Sequence, residues 1–189
     1  ALDGLNRASV FDKLVRALAM QIGSEVNYNE LAGLTGADNK TVERYLDLLT
    51  KCYVIFPLGA YSNNLRNEIK KGFKIFFCDL GIRNAIINNF APLDSRHDAG
   101  GMWENYLILE RMKKNLNQPF PPRSFFWRTM APQSHEIDYL EEAHGQLQAW
   151  EIKSNPLAKE KIPLTFRKAY PAARTGIVTP NNYAEFLLD

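Results

Sequence analysis

The sequence predicts a mixed α/β (α+β) chain: an N-terminal winged helix-turn-helix, then a domain ordered helix, three strands, helix, strand. Three observations predict it. Apolar residues recur at i, i+3 and i+4 from Phe11 to Leu49, the period of helices that bury one face. A Gly-containing turn, Thr35-Gly36-Ala37-Asp38, separates two of those helices. After Pro119-Phe120-Pro121-Pro122 the pattern changes to short apolar runs punctuated by turn residues, the mark of strands.

In the first half, Ser9 reads as a helix cap with Asp12 three residues on. Phe11, Leu14, Val15, Leu18 and Ile22 then form one face, and Gly23 ends the helix. Tyr28 to Thr35 makes a short second helix carrying Leu31 and Leu34. A third runs from Asn39 to Lys51 and buries Val42, Tyr45, Leu46 and Leu49. Tyr53-Val54-Ile55-Phe56, closed by Pro57, and Lys74-Ile75-Phe76-Phe77 are the two strands of the wing. Asp79 caps a helix to Asn88 with Ile82, Ala85 and Ile86 inward. Pro92 and Gly100-Gly101 mark a joint, so the domains are expected at 1–92 and 93–189.

Composition bounds the function. The 189 residues are 46% hydrophobic and 23% charged, those of an ordinary globular protein with room for one large domain or two small ones. No apolar run reaches the length of a membrane span, and no signal peptide is legible, so no membrane partner is expected. The net charge of +2 gives no global attraction to nucleic acid, so a DNA surface must be local. Lys40 and Arg44 on the third helix, and Arg66, Lys70, Lys71 and Lys74 in the wing, are its candidates. Glu43 and Asp47 oppose the field of the first two, and a partner-docking module remains the alternative. Cys52 and Cys78 sit in apolar runs without a CxxC partner, which predicts buried, reduced thiols and a cytoplasmic location. Ala1 stands where a Met would begin a complete protein, so the chain is expected to be a C-terminal piece of a longer one.

In the second half, a helix is expected from Met102 to Leu116 with Trp103, Tyr106 and Leu107 inward and Glu104 beside that stripe. Strands follow at Ser124 to Thr129, His135 to Glu141 and Leu147 to Ser154. Then come a helix from Leu164 to Tyr170, a strand from Gly176 to Thr179 and a terminal helix. Glu136-Ile137-Asp138 and Glu151-Ile152-Lys153 fall on adjacent strands. Side chains alternate along a strand, so Glu151 and Lys153 share a face, roughly 6–7 Å apart. Two carboxylates on neighbouring strands are hard oxygen ligands, suited to Mg²⁺ or Mn²⁺ that also touches a phosphate. A lysine beside them can assist an attacking water or offset transition-state charge. A structural ion pair on a strand face is the plainer alternative. The scattered histidines give no Ser-His-Asp or Cys-His set, and no GxxxxGK[ST] P-loop is present.

At these residues the chain resembles a known group. Glu104, Asp138 and Glu151-Ile152-Lys153, in that element order, resemble the PD-(D/E)XK, or restriction-endonuclease-like, nuclease superfamily. Ile137 stands where the name-giving motif has proline. Thr41-Val42-Glu43-Arg44-Tyr45-Leu46, Asn64-Leu65-Arg66, Asp79-Leu80-Gly81-Ile82-Arg83-Asn84, Trp103-Glu104-Asn105 and Phe126-Trp127-Arg128-Thr129 extend the likeness. Together they resemble the C-terminal region, domain of unknown function family 4143, of prokaryotic AAA+-like ATPases. The resemblance implies a restriction-endonuclease-like α-β-β-β-α-β domain and a metal-dependent endonuclease. In it Asp138 and Glu151 are metal ligands, Glu104 is a further one, Lys153 is the catalytic lysine and Arg128 accompanies them. It also implies a preceding ATPase domain, the only route by which ATP would enter. DNA is the expected partner, and oligomeric state is open, a homo-oligomer included. The alternative is a non-catalytic DNA-binding or protein-interaction module that regulates the ATPase.

Overall fold

A computed structural model describes residues 2–62, 72–129, 135–159 and 161–188, with side chains from residue 7 onward. The chain divides into two compact units, Ala1–Pro57 with Gly72–Arg96, and Leu58–Lys71 with His97–Asp189. The expected joint at 92/93 lies four residues before the switch from Arg96 to His97. The segment after Pro57 belongs to the second unit.

The first unit begins with α1 (Leu2–Met20), so Ser9 lies inside the helix rather than capping it. Three local signals set the next helices. Asn27 accepts from the Glu30 amide and starts α2 (Tyr28–Thr35), and Gly36 at φ 73° ends it in the left-handed region. Asp38 accepts from the Thr41 amide and starts α3 (Asn39–Lys51). That backbone bond holds the Asp38 carboxyl below its usual pKa. Leu14, Leu18, Leu31, Val42, Leu46 and Leu49 meet in one core, each worth about 1.5–3 kcal/mol of burial. Leu34 is exposed, and Thr35 is buried, its hydroxyl donating to the Leu31 carbonyl.

Three strands follow the order β1-β3-β2, with β1 Glu25–Val26, β2 Ile55–Gly59 and β3 Phe73–Phe77. The first was not expected. Tyr53 is not in a strand; it sits at φ 55°, largely exposed, just past the end of α3. Lys74, expected on the wing surface, is buried in β3 opposite Glu25. On α4 (Leu80–Ile86), Ile82 and Ala85 face solvent, and Arg83 is buried. Its Nε donates to the Ala19 carbonyl at 2.8 Å, satisfying one of the open groups at the end of α1. Both thiols are free, but neither is buried: Cys52 is exposed and Cys78 half-buried.

The second unit is a four-stranded sheet in the order β4-β5-β6-β7, with β4 Arg123–Arg128, β5 Glu136–Ala143, β6 Gln146–Ile152 and β7 Arg174–Val178. The first three are antiparallel, and β7 runs parallel to β6 after a crossover through α6 (Leu164–Ala169). A parallel return needs such a connection. Before the sheet comes α5 (Ala99–Asn115), and after it α7 (Tyr183–Leu188). Gly100-Gly101 thus lies in the first turn of α5, not in a linker. Its buried residues are Met102, Asn105, Leu107, Ile108, Arg111 and Asn115; Leu107 is inward as expected, while Tyr106 is exposed. One face of the sheet packs Phe125, Trp127, Ile137, Leu140 and Ala149 on Phe166 of α6. The other sets Tyr139 and Trp150 against Phe186 of α7. Among the described residues no helix is long and apolar enough to cross a membrane.

Candidate functional site

The site begins with an irregularity. Phe125 pairs with Leu140 and Trp127 with Ile137, so Asp138 and Tyr139 together face the single residue Phe126. This is a β-bulge, a device that re-aims side chains. Towards this end of the sheet the β5–β6 ladder stops at Tyr139 and Trp150. Beyond it, the Ile152 amide donates to Asp138 Oδ2 at 2.7 Å, a side-chain acceptor in place of a strand carbonyl.

Lys153 lies one residue past β6, and its amide still bonds the Val178 carbonyl of β7 at 2.8 Å. Its Nζ stands 2.6 Å from Glu151 Oε2 and 3.3 Å from Asp138 Oδ2. One ammonium therefore bridges two carboxylates. Burial raises the Glu151 pKa, and the Asp138 charge adds to it, against the hydrogen bond from Lys153. Burial pulls the Lys153 pKa down, but Asp138 and Glu151 outweigh it, and the net shift is upward. A carboxylate whose charge is disfavoured by a second one beside it marks a place where a cation is stabilising. Mg²⁺ is commonly held by one or two carboxylates with waters completing its shell, so this donor set fits it.

The structure brings together Asp138, Glu151 and Lys153. It does not add Glu104 as a third ligand: among the described residues no group of three or more His, Cys, Asp or Glu is arranged to hold a metal. On α5 the buried face includes Asn105, fully enclosed. Glu104 is half-buried beside that face. Arg128 ends β4, one strand from Asp138, with Glu136 directly across from it.

Lys40 and Arg44 are exposed on α3, but so are Glu43 and Asp47, and Asp47 holds Lys51 at 2.7 Å. Arg66, Lys70 and Lys71 lie outside the described residues, as does Asn64-Leu65-Arg66.

Sequence reasoning missed the polar network behind the bulge. Glu141, buried, takes both Nε and Nη2 of Arg111 at 2.9 and 3.0 Å, the Asn115 amide, and the Tyr139 hydroxyl at 3.1 Å. Ser124 Oγ lies 2.8 Å from the same hydroxyl. Burial and the Glu141 charge push the Tyr139 phenol far above its usual pKa, so it remains a donor. A legible signal existed: Arg111 and Asn115 interrupt the apolar stripe of α5 at i, i+4, which asks for an acidic partner inside.

Residues 99–187 match the model of a domain of unknown function, DUF4143. Residues 1–93 match a second, DUF8612. The two matches bracket the switch between units at Arg96 and His97. The DUF4143 match contains Glu104, Arg128, Asp138, Glu151 and Lys153. The uncharacterized protein Rv2008c of Mycobacterium tuberculosis is 28% identical over 159 residues, which are 82% of this chain and 34% of that protein. The uncharacterized protein Mb2031c of Mycobacterium bovis matches with the same figures. The chain thus spans about a third of the length of the curated relatives it matches. No solved structure matches it.

Proposed function

We propose that the second unit is a Mg²⁺-dependent DNA phosphodiester hydrolase of the PD-(D/E)XK type, attached to an AAA+-like ATPase domain and cytoplasmic. One observation carries the reading: a bulge and a strand end bring Asp138, Glu151 and the Lys153 ammonium within hydrogen-bonding distance. Asp138 and Glu151 would hold the ion, which supplies Lewis-acid polarisation of the phosphate and a lowered pKa for a bound water. Lys153, released from its carboxylates, orients that water or meets the charge gathering on the phosphate. Arg128 contributes a planar fork matched to two phosphate oxygens. Glu104 acts from outside the ligand pair. In the first unit Lys40 and Arg44, with Arg66, Lys70 and Lys71, would hold the duplex by its phosphates. The length of the relatives leaves room for the ATPase.

A second reading has its own support. Lys153 closes on both carboxylates, and α3 presents acids among its bases, which suits a non-catalytic module that binds DNA or a protein and regulates the ATPase. One assay separates the two. Wild type and Glu151→Ala are incubated with linear, nicked, branched and single-stranded DNA and Mg²⁺ or Mn²⁺. Metal-dependent cleavage by wild type alone supports the hydrolase. No cleavage of any substrate, with DNA still bound, supports the module.

A further inference from the structure

We infer that Tyr139 is a positioning residue for the Asp138 carboxylate, holding the bulge that aims it at the Ile152 amide and Lys153. This deepens the hydrolase reading and rests on it for the role of Asp138. Asp138 and Tyr139 are the two residues that face Phe126, so the backbone of one sets the backbone of the other. A bulge is a local break in pairing and needs something to fix it. Tyr139 is fully buried, its ring packed against those of Trp150 and Phe186 at 5.9 and 6.0 Å. Its hydroxyl is tied to Ser124 of β4 and to Glu141. Glu141 is itself clamped to α5 by Arg111 and Asn115, and Arg111 Nη1 reaches the Phe186 carbonyl of α7 at 2.6 Å. One half of the bulge is therefore anchored to two helices and a neighbouring strand. The other half carries the carboxylate. A satisfied buried network of this kind fixes geometry to within the tolerance a catalytic group needs.

The test reads the Ile152 amide by ¹H–¹⁵N NMR in the 189-residue chain, without metal or DNA. Asp138→Asn defines the signature of a lost charged acceptor. Tyr139→Phe keeps the ring and removes the hydroxyl; Ser124→Ala removes one of its partners and decides the matter if the first variant fails to fold. The expected result is an Ile152 shift towards the Asp138→Asn position and hydrogen exchange there about tenfold faster, with the Ala149 and Trp150 amides unchanged. An Ile152 amide at its wild-type position in both variants overturns the inference. So does uniform acceleration along β5 and β6, which a merely structural tyrosine would give. A parallel Mn²⁺ titration keeps the two readings apart. If wild type binds Mn²⁺, Tyr139→Phe should weaken binding about tenfold, as supporting groups around a metal site do. Equal affinity in the two overturns the inference. If wild type binds none, the hydrolase reading fails, and the Ile152 amide alone decides the role of Tyr139.

Discussion

Lys153 occupies the position a divalent ion would contest. Its side chain is 43% exposed, while that of Glu151 is 9% exposed, so the ammonium is the mobile partner and the carboxylate the fixed one. Removing Lys153 leaves two carboxylates facing each other in a half-dry site. Breaking a buried pair costs about 3–5 kcal/mol; solvent at Lys153 reduces that to about 1–2 kcal/mol. Lys153→Ala should therefore melt lower without metal, yet gain more from Mg²⁺ or Mn²⁺ than wild type does, because the internal competitor is gone. Asp138→Ala should lose the metal gain altogether. Thermal melts across a metal titration read all three proteins. An equal metal shift in wild type and Asp138→Ala sinks the ligand assignment. That Glu151 and Lys153 share a face was legible from E-x-K spacing, since alternation in a strand is local; their ion pair was the alternative reading. That Asp138 would bond the Ile152 amide was not, because it depends on where the ladder between two strands ends.

The same division holds among elements. Both ends of α2 and the start of α3 were legible because Asn27, Gly36 and Asp38 act within one turn. Local signals also misled. Ser9 resembles a cap inside a longer helix, and Gly100-Gly101 resembles a linker inside the first turn of α5. The buried Arg83 was hidden for another reason: its partner, the Ala19 carbonyl, is 64 residues away. The β5–β6 hairpin was legible in place but not in strain. His144 at φ 52° and Gly145 at φ 75° form a two-residue turn with both positions left-handed. Gly145 suits that region, and its amide also donates to Glu142 at 3.0 Å. His144 fits it less well than asparagine, whose short amide side chain hydrogen-bonds locally to offset the β-carbon's cost, and Asn-Gly is the favoured pair. His144→Asn should stabilise the chain by about 0.5–1 kcal/mol, with the midpoint rising by about 2–4 °C per kcal/mol. Thermal denaturation measures it, and an unchanged or lower midpoint removes the strain argument.

At the scale of the molecule, the second unit does not begin where its family match begins. The match covers residues 99–187, but Leu58–Lys71 also belongs to this unit. Ala60 bridges Phe126 in parallel, and the Tyr61 amide donates to the Phe126 carbonyl at 2.7 Å, so this segment covers part of the outer edge of β4. Tyr61 also packs edge-on against Phe125 and Tyr170, at 5.3 and 5.6 Å. An uncovered strand edge is a template for unwanted pairing. A fragment of residues 97–189 therefore lacks a piece of its own sheet. It should unfold at a lower temperature than the second unit does in the intact chain and should associate through the exposed edge of β4. Tyr61→Ala in the intact chain should reproduce part of the loss, about 1–3 kcal/mol for two ring pairs. Tryptophan fluorescence follows this unit selectively, because Trp103, Trp127 and Trp150 all lie within it. If the fragment melts with the intact chain and stays monomeric by light scattering, then Ala60 and Tyr61 add nothing to the unit, and the boundary at His97 is complete.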